Sequence, residues 1–113
     1  LDYGDMKIDL AQRRVQCYGE FIELTPQEFS LIYVLAQAEG IPLSRSELLR
    51  RAWPDAIDNP RTIDTHILSL RKKIEIDPRK PSLIQTVRNV GYRFNSQDSV
   101  NGESPAIGQA LAG

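Results

Sequence analysis

Cysteine, histidine, tryptophan and methionine each occur once in the 113 residues. A lone Cys17 cannot close an internal disulfide, which excludes a disulfide-stapled scaffold and leads us to expect a reducing, cytoplasmic setting. One histidine, His66, leaves no HExxH pair, and there is no CxxC, GxSxG or phosphate-cradling glycine loop. Glycine and proline, seven of each, are too few and too scattered for a collagen-like repeat, and no internal repeat of any period is present. No apolar run approaches the ~18–20 residues that a membrane helix needs. The first ten residues, LDYGDMKIDL, carry neither the basic n-region nor the apolar h-region of a signal peptide. What remains is ordinary for a soluble domain: 41% apolar and 26% charged residues, in a chain of about one domain's length. Folding at this size hides about two-thirds of the unfolded chain's surface, enough for a core without metal or disulfide.

A net charge of −1 excludes a uniformly basic protein but conceals an asymmetry. Residues 1–40 hold Lys7, Arg13 and Arg14 against seven acids, whereas residues 61–93 hold eight basic groups against Asp64, Glu75 and Asp77. Such a dipolar molecule offers one face to a polyanion. From charge alone, a basic surface kept for solubility is the competing reading.

Period-two patterning predicts short strands at Lys7–Leu10, Arg14–Tyr18 and Phe21–Leu24, with Leu1–Tyr3 as a further edge strand. Thr25-Pro26-Gln27-Glu28 is a capping box with proline at the first helical position. It opens a helix whose stripe Phe29, Ile32, Tyr33, Leu35, Ala36 stops near Glu39-Gly40. Ser44-Arg45-Ser46-Glu47 is a second box, opening a short helix that Pro54 closes. Asn59-Pro60 opens a third helix, over about residues 60–75, with Ile63, Ile67, Leu70 and Ile74 on its inner face. Two β-prone runs in residues 82–94 flank a tight turn at Asn89-Val90-Gly91, where glycine is expected to supply a positive φ. Residues 1–94 are thus expected to form the domain, and residues 95–113, small and polar, a disordered tail, of which residues 97–113 can be deleted at no appreciable cost.

An enzyme is hard to build from these residues. Asp55 and Asp58 could imitate a carboxylate pair, but no basic or metal-ligating residue accompanies them, and a solvated acidic loop accounts for them better. His66 alone makes no metal site. Neither metal nor cofactor is expected. The third helix is where chemistry concentrates. At about 100° per residue, the arc opposite its apolar stripe carries Arg61, Thr65, Leu68, Ser69 and Lys72, flanked by Arg71 and Lys73. A helix with one buried face and such an outer arc can enter a major groove. A solvated face on an ordinary amphipathic helix is the competing reading.

The runs LTPQEFSLIYVLAQAEG (24–40), SRSELLRRAW (44–53), RTIDTHILSLRKKIE (61–75) and IQTVRNVGYRF (84–94) closely resemble the effector domain of OmpR/PhoB-type two-component response regulators. The resemblance spans about residues 5–94 in order. It implies an α+β fold: a winged helix-turn-helix with an N-terminal antiparallel four-stranded sheet, three helices and a C-terminal β-hairpin wing. By position, it implies that Arg61, Thr62 and His66 touch phosphates or the groove edge. Thr65, Ser69 and Arg71 are implied to lie at or beside the bases, Thr86 and Tyr92 at the DNA backbone, and Arg88 in the adjacent minor groove. Trp53 matches an aromatic position near the backbone, with a core role equally open. The loop Pro54–Asn59, through Asp55, Ala56, Ile57 and Asp58, matches a segment that contacts RNA polymerase. Leu68 and Ser69 depart from the family's more basic members, in which arginine is common at both places.

The resemblance therefore implies a sequence-specific, non-enzymatic, double-stranded DNA-binding domain that controls transcription. A phosphoacceptor receiver domain, served by a sensor histidine kinase, is expected to promote pairing on tandem half-sites. The isolated domain is expected to be a monomer with no membrane association. Two rivals stand beside this reading: a winged helix used only for protein–protein contact, and a small enzyme. The row of charge along the third helix argues against the first, and the missing catalytic constellation against the second.

Overall fold

The computed structural model describes residues 1–56 and 59–95; the expectations for Ile57, Asp58 and the tail beyond Asn95 lie outside the described residues. Four short strands come first: β1 (Asp2–Tyr3), β2 (Met6–Asp9), β3 (Arg14–Cys17) and β4 (Glu20–Ile22), in an antiparallel sheet of order β1-β2-β3-β4. Alternation decides its two faces. Met6, Ile8, Val15 and Cys17 point into the core, while Lys7 and Phe21 face solvent. On the outer face the Arg14 guanidinium lies 3.9 Å from the centre of the Phe21 ring. Burial, with Glu75 and Asp5 nearby, pushes the Cys17 thiol up to about 12, so it stays protonated at neutral pH.

Helix α1 (Pro26–Gln37) begins at the expected capping box, with Thr25 Oγ1 accepting from the Glu28 N–H and Glu28 Oε1 accepting from the Thr25 N–H. Its C-terminal turn leaves the helix through left-handed φ values at Glu39 and Gly40. Helix α2 (Arg45–Ala52) carries the second box, closed between Ser44 and Glu47. Helix α3 (Thr62–Ile74) buries Ile63, Ile67, Leu70 and Ile74, each at 2% exposure or less. Burial of this kind contributes about 1.5–3 kcal/mol per side chain and fixes which arc of α3 faces outward.

The hairpin β6 (Ile84–Val87) and β7 (Gly91–Phe94) pairs in register Ile84↔Phe94 to Val87↔Gly91. Two features of it differ from the sequence reading. The positive φ sits on Asn89 (66°), not on Gly91. Gly91 is instead required by close approach: a Cβ there would lie 2.1 Å from the Leu43 carbonyl oxygen. That neighbour belongs to β5 (Leu43–Ser44), an unanticipated two-residue strand that pairs with β7, giving a three-stranded sheet of order β5-β7-β6. The wing is thereby hydrogen-bonded to the segment that caps α2. The Tyr3 and Phe94 rings meet edge-on at 5.8 Å, joining the two sheets across the core. The architecture is the expected α+β winged helix, with four N-terminal strands, three helices and a C-terminal hairpin.

Candidate nucleic-acid interface

Helix α3 starts where Asn59 gathers the incoming backbone: its Oδ1 accepts from the Arg61 N–H at 2.9 Å, and its carbonyl accepts from Thr62 Oγ1 at 2.8 Å. From this start the outward arc presents Arg61, Thr65, Leu68 and Lys72, all exposed. Thr86, Arg88, Asn89 and Val90 are exposed on the wing. Among the described residues, Arg61, Lys72 and Arg88 have no carboxylate within ion-pair distance. Each is free to meet a phosphate.

The flanks of α3 are occupied by contacts within the protein. On the side toward the wing, Asp64 accepts from Arg45 Nε at 2.8 Å and from the Tyr92 hydroxyl. Burial raises the Asp64 carboxyl, but these two donors and the Arg45 charge bring it below its ordinary value. Burial and the bond to Asp64 together push the Tyr92 phenol up. Two turns further on, Arg71 donates through Nε and Nη2 to the Ile84 carbonyl at 3.2 and 2.9 Å, and through Nη2 to Thr86 Oγ1 at 2.9 Å. Helix and wing are pinned together twice. At the helix end, both oxygens of buried Glu75 accept backbone N–H groups from residues 82–84 at 2.8–3.0 Å, anchoring the approach to β6.

On the opposite flank, Glu28 of α1 is only 3% exposed. Its Oε1 takes Lys73 Nζ at 2.7 Å and its Oε2 takes the Ser69 hydroxyl. Burial pushes this carboxyl up; the Lys73, Ser69 and Thr25 hydrogen bonds and the Lys73 charge outweigh it and hold the group at about 2. His66 Nδ1 lies 2.9 Å from the Thr62 carbonyl. Because a carbonyl only accepts, that nitrogen carries the proton. The His66 ring packs 4.7 Å from the Trp53 ring, whose Nε1 donates to the Gln27 carbonyl at 3.2 Å.

The sequence-derived residues thus divide in two. Arg61, Thr65, Leu68, Lys72, Thr86 and Arg88 form one outward surface. Thr62, His66, Ser69, Arg71 and Tyr92 lie beside it with polar groups engaged inside the protein. Of the loop after α2, Asp55 is exposed and Ala56 half-buried. Sequence reasoning missed Glu28, Arg45, Asp64 and Glu75 as the groups that set the surface's geometry. Their partners lie between 7 and 45 positions away, beyond any local pattern. Among the described residues, no group of three metal-ligating side chains exists and no helix is long and apolar enough to cross a membrane.

Residues 19–94 match the family described as transcriptional regulatory protein, C terminal. The chain belongs to that family. Among curated relatives, the probable transcriptional regulator ycf27 of Cyanophora paradoxa is 41% identical over 99 residues, covering 85% of this chain and 41% of that protein. Transcriptional regulatory protein AfsQ1 of Streptomyces coelicolor is 40% identical over 94 residues, covering 82% of this chain and 42% of that protein. The chain spans about two-fifths of the length of these relatives. Among solved structures, the response regulator DrrB, a Thermotoga maritima OmpR/PhoB homolog, superposes with a TM-score of 0.76 at 39% identity, covering 84% of this chain and 43% of its own. The Klebsiella pneumoniae RstA DNA-binding domain, solved in complex with RstA box, gives a TM-score of 0.76 at 31% identity, covering 86% of this chain and 97% of its own. The effector domain described here is thus of the OmpR/PhoB type, a class of transcriptional regulatory domains and not of enzymes.

Proposed function

We propose that this effector domain binds double-stranded DNA sequence-specifically and controls transcription as part of a two-component response regulator. Helix α3 enters a major groove, and the β6–β7 wing reaches the adjacent minor groove through Arg88. The observation that carries the reading is the placement of three cations, Arg61, Lys72 and Arg88, with no carboxylate partner among the described residues, on a helix and hairpin locked together by Arg71 and the Asp64–Tyr92 bond. Rigid spacing of charge suits a rigid polyanion. Structures of the relatives RstA and AdeR, in complex with RstA box and with an intercistronic region, support the same assignment. Phosphates caught by the cations supply affinity, and side chains facing the base edges supply specificity.

The wider assembly follows from the same reading. The domain acts in the cytoplasm beside its own receiver domain, under a sensor histidine kinase, and is monomeric when isolated. It occupies DNA as a pair on tandem half-sites about one helical turn apart. The loop holding Asp55, Ala56, Ile57 and Asp58 touches RNA polymerase. The test is a titration of the chain against duplex DNA at several salt concentrations. With Arg61, Lys72, Arg88 and one further cation each neutralising a phosphate, log K should fall against log salt with a slope of about −3 to −4 per domain. A slope near zero refutes the proposal.

A further inference from the structure

The middle of α3 has few side chains left with which to read a base. The Ser69 hydroxyl proton goes to Glu28, that of Thr62 to the Asn59 carbonyl, and the Arg71 fork to the wing. Between the cations Arg61 and Lys72 the outward surface is made by Thr65 and Leu68. Leu68 is 58% exposed. It stands three residues after Thr65 and four before Lys72, so all three adjoin on one face of the helix. An exposed leucine is ordinary in itself; this one occupies the centre of a face bordered by cations. Leucine has no hydrogen-bonding atom, so one base-edge feature suits it: the C5-methyl group that thymine presents in the major groove. The flanking Arg61 and Lys72, with Arg88 on the wing, select DNA over a protein as the occupant.

We propose that Leu68, assisted by the methyl group of Thr65, reads thymine C5-methyl groups, so that each half-site carries thymine beneath the middle of α3. This rests on the DNA-binding reading above and adds the chemical feature recognised. The side chain's exposure makes it dispensable for folding, so the contact can be removed from either partner without disturbing the core.

The test uses the 113-residue chain and a duplex site recovered by selection from random sequence. That site is resynthesised with deoxyuridine replacing each thymine in turn, which deletes one methyl group and leaves every hydrogen-bonding atom in place. At one or two positions the unsubstituted chain should lose affinity about fourfold, the factor that burying one methyl group supplies. At those positions Leu68→Ala should bind thymine and deoxyuridine duplexes equally, while Leu68→Met should keep the preference. The inference is overturned if Leu68→Ala responds to deoxyuridine as the unsubstituted chain does at every position, or if the selected site has no thymine whose methyl group matters. Failure to bind any duplex at low salt would overturn the DNA-binding reading itself, a result distinct from binding without methyl dependence.

Discussion

Replacing Glu28 by glutamine isolates the contact that ties α3 to α1. The carboxyl is almost fully buried, and its three donors, Lys73 Nζ, the Ser69 hydroxyl and the Thr25 N–H, hold it at about 2 against an ordinary 4.5. At about 1.4 kcal/mol per pKa unit, this corresponds to about 3 kcal/mol favouring the folded protein with Glu28 ionised. The folded value lies below the unfolded one. The stabilisation is therefore complete above about pH 4.5 and is lost as pH falls through about 2. Glutamine keeps the shape and one acceptor oxygen but loses the charge. Lys73, with 37% of its side chain exposed, can turn to water, so the variant leaves no buried unpaired ammonium group.

Glu28→Gln should accordingly cost about 2–3 kcal/mol near neutral pH, a fall in Tm of roughly 10 °C or more for a domain of this size. Urea unfolding followed through Trp53 fluorescence, repeated from neutral to strongly acidic pH, measures the difference between the two proteins. That difference should shrink once the pH passes below 4.5 and nearly vanish towards 2. Other acid-sensitive groups such as Asp64 act in both proteins and cancel. A stability gap that stays constant across this range refutes the electrostatic account of Glu28 and leaves it a packing residue.

Gly91→Ala should cost about 3 kcal/mol, because its Cβ would meet backbone atoms of Leu43 and Ser44 at 2.1 and 2.9 Å. Gly19→Ala, at φ +84° with nothing within 4 Å, should cost only about 1–2 kcal/mol; equal shifts in thermal melts would sink the distinction. Arg71→Lys should lose about 1–2 kcal/mol, since lysine has no planar fork to serve the Ile84 carbonyl and Thr86 together. Amide exchange across β6 and β7 should quicken in that variant, and unchanged exchange would show that Arg71 does not hold the wing. Asp55→Ala, at an exposed site before α3, should leave duplex affinity unchanged while altering transcription by the full-length regulator in a reconstituted system. A parallel loss of both would make the loop structural.

Most of the fold is legible in the sequence because it is written in local signals. Thr25 with Glu28, and Ser44 with Glu47, mark helix starts within four residues each, and the stripe from Ile63 to Ile74 fixes the buried face of α3. The strand β5 has no such signal. Two residues show no periodicity, and Leu43–Ser44 is a strand only because β7 lies against it. The same long-range neighbour explains the misplaced glycine. A turn rule assigns Gly91 a positive φ, but Asn89, which tolerates that conformation, takes it, and Gly91 serves the contact with β5.

The candidate site divides along the same line. Helical periodicity identifies every side chain on the outward arc, but it cannot reveal which polar groups are already committed. Ser69 is joined to Glu28 across 41 positions, and Tyr92 to Asp64 across 28. Position in a family motif places Ser69, Arg71 and Tyr92 at DNA, whereas tertiary contacts give each a partner within the protein. Two physical jobs thus fall to different residues. Asp64, Arg71 and Tyr92 set the angle between helix and wing, and Glu28 holds the helix against α1, through partly buried bonds that salt weakens little. Arg61, Lys72 and Arg88 project into solvent, where their attraction for phosphate is screened and exchanges with counterions. In the proposed complex, residues of the first kind would govern whether the surface matches the spacing of two adjacent grooves, and residues of the second kind how strongly and at what ionic strength it is drawn there. Leu68 belongs to neither group: without charge or hydrogen bond, it is free to distinguish one base pair from another.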